Sequence, residues 1–442
     1  MRSVPTALAF AGAIALASPA HAFCGFFVGK ADGKLFNQSS QVAIVRDGDR
    51  TVITMGNDFK GEMDEFALVV PVPSVLTREQ IHVGERRLLE RLDAYSAPRL
   101  VEYTDADPCT ERRYVGMAAM PMSKRSRDEA PLEAKALGVT VEAAYTVGEY
   151  DIVLLSATQS QGLEIWLRES GYRIAPHASA ALAPYIRQNM KFFVARVNIK
   201  EQRKTGFQEL RPIQIAFESP KFMLPIRLGM ANADGPQDLI VYAMTRNGRV
   251  ESSNYQTVKV PSDVEVPEFV QREFGDFYKS LFAKSWREHD HRAIATEYVW
   301  NMGFCDPCAA NPLTADELRE LGVFWLANQA GPAGPFRGGG VPVTLTRLHL
   351  RYDAQHFPED LVFQQTGDQQ NFQGRYIIRH PWRGTSSCTA ASAYREQLPV
   401  RHRQEAETLA SLTGWDMARI HKRMGDDAPK PADPTWWKKL WR

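Results

Sequence analysis

The chain has 442 residues, 44% hydrophobic and 24% charged, ordinary values for a globular protein of about two or three domains. Lys and Arg number 53 and Asp and Glu 52, so there is no overall positive excess of the kind phosphate backbones attract, which argues against nucleic acid as a partner. Five cysteines are too few for a cysteine-rich scaffold, so stability must come from apolar burial.

Residues 1–22 read as a signal peptide. Arg2 supplies the positive start, Val4 to Ala17 the apolar core, and Ala20-His21-Ala22 the small-residue cleavage pattern. The core is shorter than the about 20 apolar residues of a membrane span. The mature chain is expected to begin at Phe23, whose bulk disfavours lipid attachment at Cys24. Later apolar runs such as Phe66–Val75 are strand-sized, so no transmembrane span is expected. The expected location is exported, periplasmic or extracellular, where disulfides are permitted.

Residues 23–262 read as a strand-rich α+β domain. Gln41–Arg46 and Arg50–Met55 flank Asp47-Gly48-Asp49, a hairpin signal. Glu65–Val70 follows. Thr77 and Gln80 then form a capping-box pattern ahead of Ile81, Leu88, Leu89 and Leu92 at helical spacing. Arg99–Tyr103 is a strand. Val139–Thr146 and Tyr150–Ser156 pair around Gly148, Leu163–Glu169 and Ala178–Gln188 are helices, and Lys191–Asn198 is a strand. Arg211–Glu218, Met223–Leu228, Asp238–Thr245 and Arg249–Val260 extend the sheet, with Asn247-Gly248 turning the last pair.

Residues 263–428 read as a helix-rich domain with a few strands. Pro267–Ala283 and Ser285–Trp300 read as aromatic helices, and Thr314 with Glu317 caps a helix to about Trp325. Val341–Tyr352 and Gly374–Pro381 are strands, and Ala390–Leu412 is a helix interrupted by Pro399. The fold class is thus α+β, with mainly antiparallel sheets in the N-terminal part and a helix-rich C-terminal part. Residues 429–442 form a Pro-rich tail in which Trp436, Trp437 and Trp441 accompany Lys438, Lys439 and Arg442. Such a mixture suits peripheral contact with a membrane or an acidic partner; a flexible terminus, or tryptophans docked on the body, would also account for it.

Several stretches resemble a known family. Cys24-Gly25-Phe26-Phe27, Gly29–Asn37, Leu92–Leu100, Glu218–Phe222, Trp300–Cys308, Gly322–Trp325 and His349–Phe363 are similar to domain of unknown function family 2330. The resemblance runs to about Trp415. It implies an exported bacterial protein, and it carries over no activity and no site residues.

Cys305-Asp306-Pro307-Cys308 is the sharpest chemical motif. A structural disulfide, a redox pair and half of a metal site all use this spacing. The apparent preceding helix, the acidic Asp306 and the exported location favour the disulfide. The preferred pairing is Cys24 with Cys109 and Cys305 with Cys308, leaving Cys388 free. His349, Arg351 and Asp353 share one strand face with His356 beyond. This set fits a metal or an acid–base pair, but a solvated strand face explains it more simply.

Asp47-Gly48-Asp49 and Asp105-Ala106-Asp107 do not complete a calcium loop, and Gly338-Gly339-Gly340 lacks the residues of a phosphate loop. No H-E-x-x-H, nucleophile elbow, cofactor motif or complete metal set occurs, and no base is visible for Cys388. The expected function is a non-catalytic binding or structural protein of the cell envelope, its partner an envelope protein or ligand. The rivals are a thiol-disulfide oxidoreductase using Cys305 and Cys308, and a metal-dependent hydrolase using His349–His356.

Overall fold

The structure is a computed structural model that describes residues 26–29, 36–60, 65–110, 140–169, 178–198, 200–202, 210–230, 235–306, 310–326 and 341–429. In chain order come β1 (Phe26–Gly29), β2 (Phe36–Asp47), β3 (Arg50–Lys60), β4 (Glu65–Val72), β5 (Ile81–Val83), α1 (Arg86–Ser96), β6 (Arg99–Thr104), β7 (Thr140–Val147) and β8 (Tyr150–Ser156). Next are α2 (Ser160–Glu169), α3 (Ala178–Arg187), β9 (Lys191–Asn198), β10 (Ile213–Glu218), β11 (Met223–Leu224), α4 (Arg227–Met230), β12 (Gln237–Thr245), β13 (Val250–Ser252), β14 (Thr257–Lys259) and β15 (Val264–Glu265). Then follow α5 (Phe274–Glu288), β16 (Ile294–Asn301), α6 (Ala315–Glu320), β17 (Thr344–Tyr352), β18 (Leu361–Gln365), β19 (Phe372–Gln373), β20 (Arg375–His380), α7 (Thr389–Thr413) and α8 (Met417–Met424).

Two sheets dominate this α+β fold. One has the order β1-β4-β9-β8-β7; the other runs β14-β16-β17-β12-β2-β3-β10-β5, with β19 beside β16. Strand β2 shows why its sequence reads as an unbroken apolar run. Val42 and Ile44 enter the core between the two sheets, while Ala43 and Val45 enter a second core on the far face. A strand buried on both sides has no polar face to alternate with. The outer face of the larger sheet is covered by Leu88, Leu89 and Leu92 of α1 and Leu318 of α6. The outer face of the smaller sheet carries Leu163 and Leu167 of α2 and Leu182 and Tyr185 of α3. The layers are therefore helices, sheet, sheet, helices. Gly56 lies directly under Leu89, where a Cβ would collide with the leucine, so glycine there lets α1 sit close.

Most pairings are antiparallel, as expected, but β2–β12, β14–β16, β15–β20 and β20–β6 are parallel. Strand pairing also runs across residue 262. Strands β16 and β17 join the sheet built by β2, β3 and β12, whereas β6 crosses to the small sheet β15-β20-β6. That small sheet packs Tyr376 and Ile378 against Phe277 of α5, Leu409 of α7 and Ile420 of α8.

Three expectations are corrected here. Asn247-Gly248 does turn the chain, with Gly248 at φ 79°, but β13 pairs with β18 and not with β12. The glycine abuts the Thr366 backbone, which steers the chain out of the large sheet. The Thr77–Gln80 capping pattern opens only a 3-10 turn and β5; α1 starts at Arg86. Ser285–Trp300 is not one helix. It breaks where Asp290 and His291 adopt φ 51° and 62°, and β16 follows. Its Ile, Thr, Tyr, Val and Trp are β-favouring residues that also met a helical period.

The parallel pairing of β6 with β20 carries residues 105–110 to the start of α7. There Cys109 is bonded to Cys388, with Cα atoms 6.0 Å apart. The expected partner Cys24 and the expected free Cys388 are thus both corrected. Cys24 lies outside the described residues, as do residues 1–22 and most of the 429–442 tail.

Candidate functional site

Where the two sheets part, a cavity of about 210 Å³ opens between them. Its floor is apolar: Ile53 and Met55 from β3, Val70 from β4, and Ile215 and Phe217 from β10. Proline breaks the strands around its mouth, with Pro73 after β4 and Pro220 after β10, so no ladder continues across the gap. At the rim the Lys221 ammonium donates to Gln188 Oε1 at 2.7 Å, and the Lys221 N–H donates to Ser219 Oγ at 3.2 Å. The site thus offers an apolar interior with a cation at the entrance.

One wall, Met223–Pro225, is fixed by a buried carboxylate. Asp360, 5% exposed, accepts from the Tyr185 hydroxyl at 2.6 Å and from the Ile226 and Arg227 N–H groups at 2.9 and 3.1 Å. Burial pushes the Asp360 pKa up, and the hydrogen bonds from Tyr185 and from the Arg227 backbone work against that rise. The wall is thereby tied to α3 and to the loop before β18.

A second polar assembly lies on the outer face of the large sheet. The register of β16 against β17 shifts between Thr296 and Tyr298, and this bulge sets Glu297 among Arg347 and His349. Glu297 is fully buried. Its Oε2 accepts from Arg347 Nε at 2.5 Å, and its Oε1 accepts from the Tyr278 hydroxyl at 2.5 Å and His349 Nδ1 at 2.7 Å. Arg347 Nη1 donates onward to Asp93 of α1 at 2.7 Å, and the Tyr242 hydroxyl donates to the same oxygen at 2.9 Å. His349 stacks on Phe282, centroid to centroid 3.8 Å.

Burial alone would raise the Glu297 pKa, but the charges of His349 and Arg347 and the hydrogen bonds from His349 and Tyr278 hold it at about 2. Arg347, despite burial, is driven further into its charged form by Tyr242, Glu297 and Asp93. Both Glu297 oxygens are occupied, so the group acts as an ionic bracket joining α1, α5, β12, β16 and β17.

The sequence-derived candidates separate in space. His349 faces Glu297; Arg351 pairs with Asp238 at 2.7 Å; Asp353 pairs with His356 at 2.8 Å. Among the described residues no group of three or more His, Cys, Asp or Glu side chains is placed to hold a metal. Cys305 is an exposed free thiol, and Cys308 lies outside the described residues. The expected Cys305–Cys308 clasp is therefore not what the structure shows at Cys305, which follows strand β16 on an open turn. The helix expected ahead of that motif is a strand, and the next described helix, α6, begins only at Ala315, so among the described residues no helix N-terminus meets the thiol. Asp306 accepts from the Tyr298 hydroxyl at 2.9 Å and Gln373 at 3.2 Å, which anchors the turn to the sheet.

Glu297, Asp93, Lys221 and Tyr185 were not singled out by sequence reasoning. Glu297 had one legible signal: a lone acid inside the apolar strand Ile294–Asn301.

A family model described as "Uncharacterized protein conserved in bacteria (DUF2330)" matches residues 18–364. No curated protein and no solved structure matches the chain.

Proposed function

The chain belongs to the DUF2330 family of uncharacterized bacterial proteins, and on that premise we propose a non-catalytic binding protein, exported to the cell envelope, whose inter-sheet cavity receives the apolar part of a ligand. The cavity is the observation that carries the reading. An apolar cavity of about 150 Å³ is enough to take benzene, and this one is about 210 Å³ with Lys221 at its mouth. An aromatic ring or a short aliphatic chain bearing an anionic end fits both features. Export is supported by the leader pattern of residues 1–22 and is compatible with the Cys109–Cys388 bond. Among the described residues no helix is long and apolar enough to cross a membrane.

The test is saturable binding of octanoate to the purified chain, followed by displacement of a naphthalene-sulfonate dye. Ile215→Phe should fill the cavity, abolish dye and octanoate binding, and leave the unfolding midpoint unchanged or higher, as cavity-filling substitutions commonly do. Lys221→Glu should weaken octanoate more than octanol. Equal binding by the wild type and Ile215→Phe would sink the reading.

A further inference from the structure

Three methionines line the inter-sheet cavity: Met55 of β3, Met190 just before β9 and Met223 of β11. The chain holds 13 methionines in 442 residues, so three around one cavity is a concentration of thioethers. Phe217 of β10 joins them. Met190 and Phe217 keep 8% and 9% of their surface and Met223 is only partly buried, so a ligand in the cavity reaches all three. Met55, 1% exposed, lies deeper, on the floor.

This lining distinguishes one apolar ligand from another. A thioether sulfur is polarisable and gains from contact with an aromatic ring, commonly at the ring edge. An aromatic ring also pairs with a phenylalanine in offset or edge-to-face geometry. A saturated group of equal size gains burial and dispersion alone. Facing sheets stack about 10 Å apart, so the space where they part is a slot that suits a flat ring. At about 210 Å³ the cavity exceeds the about 150 Å³ that takes benzene, which leaves room for a short tether.

The mouth supplies the polar end. Gln188 Nε2 donates to the Pro184 carbonyl at 3.2 Å, and Gln188 Oε1 accepts from the Lys221 ammonium at 2.7 Å, so the cation is tied to the end of α3. An ammonium has three N–H donors, and this bond uses one. Ser219 Oγ accepts from the Lys221 N–H at 3.2 Å, which leaves its own O–H as a donor beside the cation.

We propose that the ligand is an aromatic carboxylate, its ring seated among the Met190 and Met223 thioethers and Phe217 above Met55, and its carboxylate on Lys221 and Ser219. The inference rests on the inter-sheet cavity being the binding site. It adds that the site selects aromatic over saturated acids of the same size.

Titration calorimetry of the full chain at pH 7 with 3-phenylpropionate, 3-cyclohexylpropionate and octanoate tests this. The two ring acids share their carbon number and their charge, and the saturated one is the more apolar. Burial alone would therefore favour 3-cyclohexylpropionate. Two sulfur–ring contacts are expected to reverse that order, with 3-phenylpropionate binding about tenfold more tightly. Leucine is close to methionine in volume but lacks the sulfur, so Met190→Leu combined with Met223→Leu should bring the ratio of the two affinities to about one. Ser219→Ala should weaken both acids about fivefold and leave their ratio unchanged. Saturable octanoate binding with 3-phenylpropionate no tighter than 3-cyclohexylpropionate would overturn this inference and leave the cavity reading standing. An aromatic preference that survives in the double methionine variant would also overturn it. Binding of none of the three acids would overturn both.

Discussion

Replacing Glu297 by Gln removes a fully buried charge while keeping its shape. In the folded chain this carboxyl titrates at about 2, against an ordinary value of 4.5. At about 1.4 kcal/mol per pKa unit, the difference is worth about 3 kcal/mol. Because the folded pKa is depressed, that stabilisation is fully present above pH 4.5 and is lost as pH falls toward 2. Deleting one partner of a buried pair costs about 3–5 kcal/mol, which agrees with the titration figure. Glu297→Gln should therefore lose about 3 kcal/mol at pH 7, because Arg347, 6% exposed, keeps only Asp93 as a charged partner. Urea unfolding followed by tryptophan fluorescence at pH 7, 5, 4 and 3 measures this. The wild-type stability should fall toward that of the variant as pH drops. Two curves that stay parallel from pH 7 to pH 3 would refute the assignment of Glu297 as the acid-sensitive bracket.

Cys388→Ser should lose about 2–5 kcal/mol of stability, since the bond closes a loop with a sequence separation of 279 residues. Non-reducing peptide mapping should recover a Cys109–Cys388 peptide, and recovery of Cys109 joined to Cys24 would reject the pairing. Asp360→Ala should cost about 2–3 kcal/mol by stranding the Tyr185 hydroxyl and the Ile226 N–H, and it should loosen the Met223–Pro225 wall. Octanoate binding and unfolding measured on the same variant check both effects; a drop in stability with unaltered binding would separate Asp360 from the cavity.

Local structure was legible where one signal sufficed. The Gly48 and Gly148 turns form hairpins as their flanking runs suggest, with Asp47 opposite Arg50 and Val147 opposite Tyr150. Thr314 and Glu317 make the reciprocal capping bonds their spacing announces, at 3.2 and 2.8 Å. α7 spans Thr389–Thr413 through Pro399, close to the expected limits. Strand Ile294–Asn301 was misread because it is buried on both faces, so no alternation distinguished it from a helix.

The site was less legible for a related reason. His349 stood out as a lone titratable group, yet its partner Glu297 is 52 residues away in the chain, and Asp93, which shares Arg347, is 254 residues from it. The cavity floor consists of ordinary Ile, Met, Val and Phe residues whose patterning is that of any core.

Composition, turn chemistry and caps act over a few residues, and those the amino-acid sequence determined alone: an α+β chain of balanced charge with its hairpin turns and its Thr314 cap. Which cysteines meet and which acid holds Arg347 depend on strands brought together from both ends of the chain. Only the tertiary structure decided them, because pairing register and burial are properties of neighbours in space.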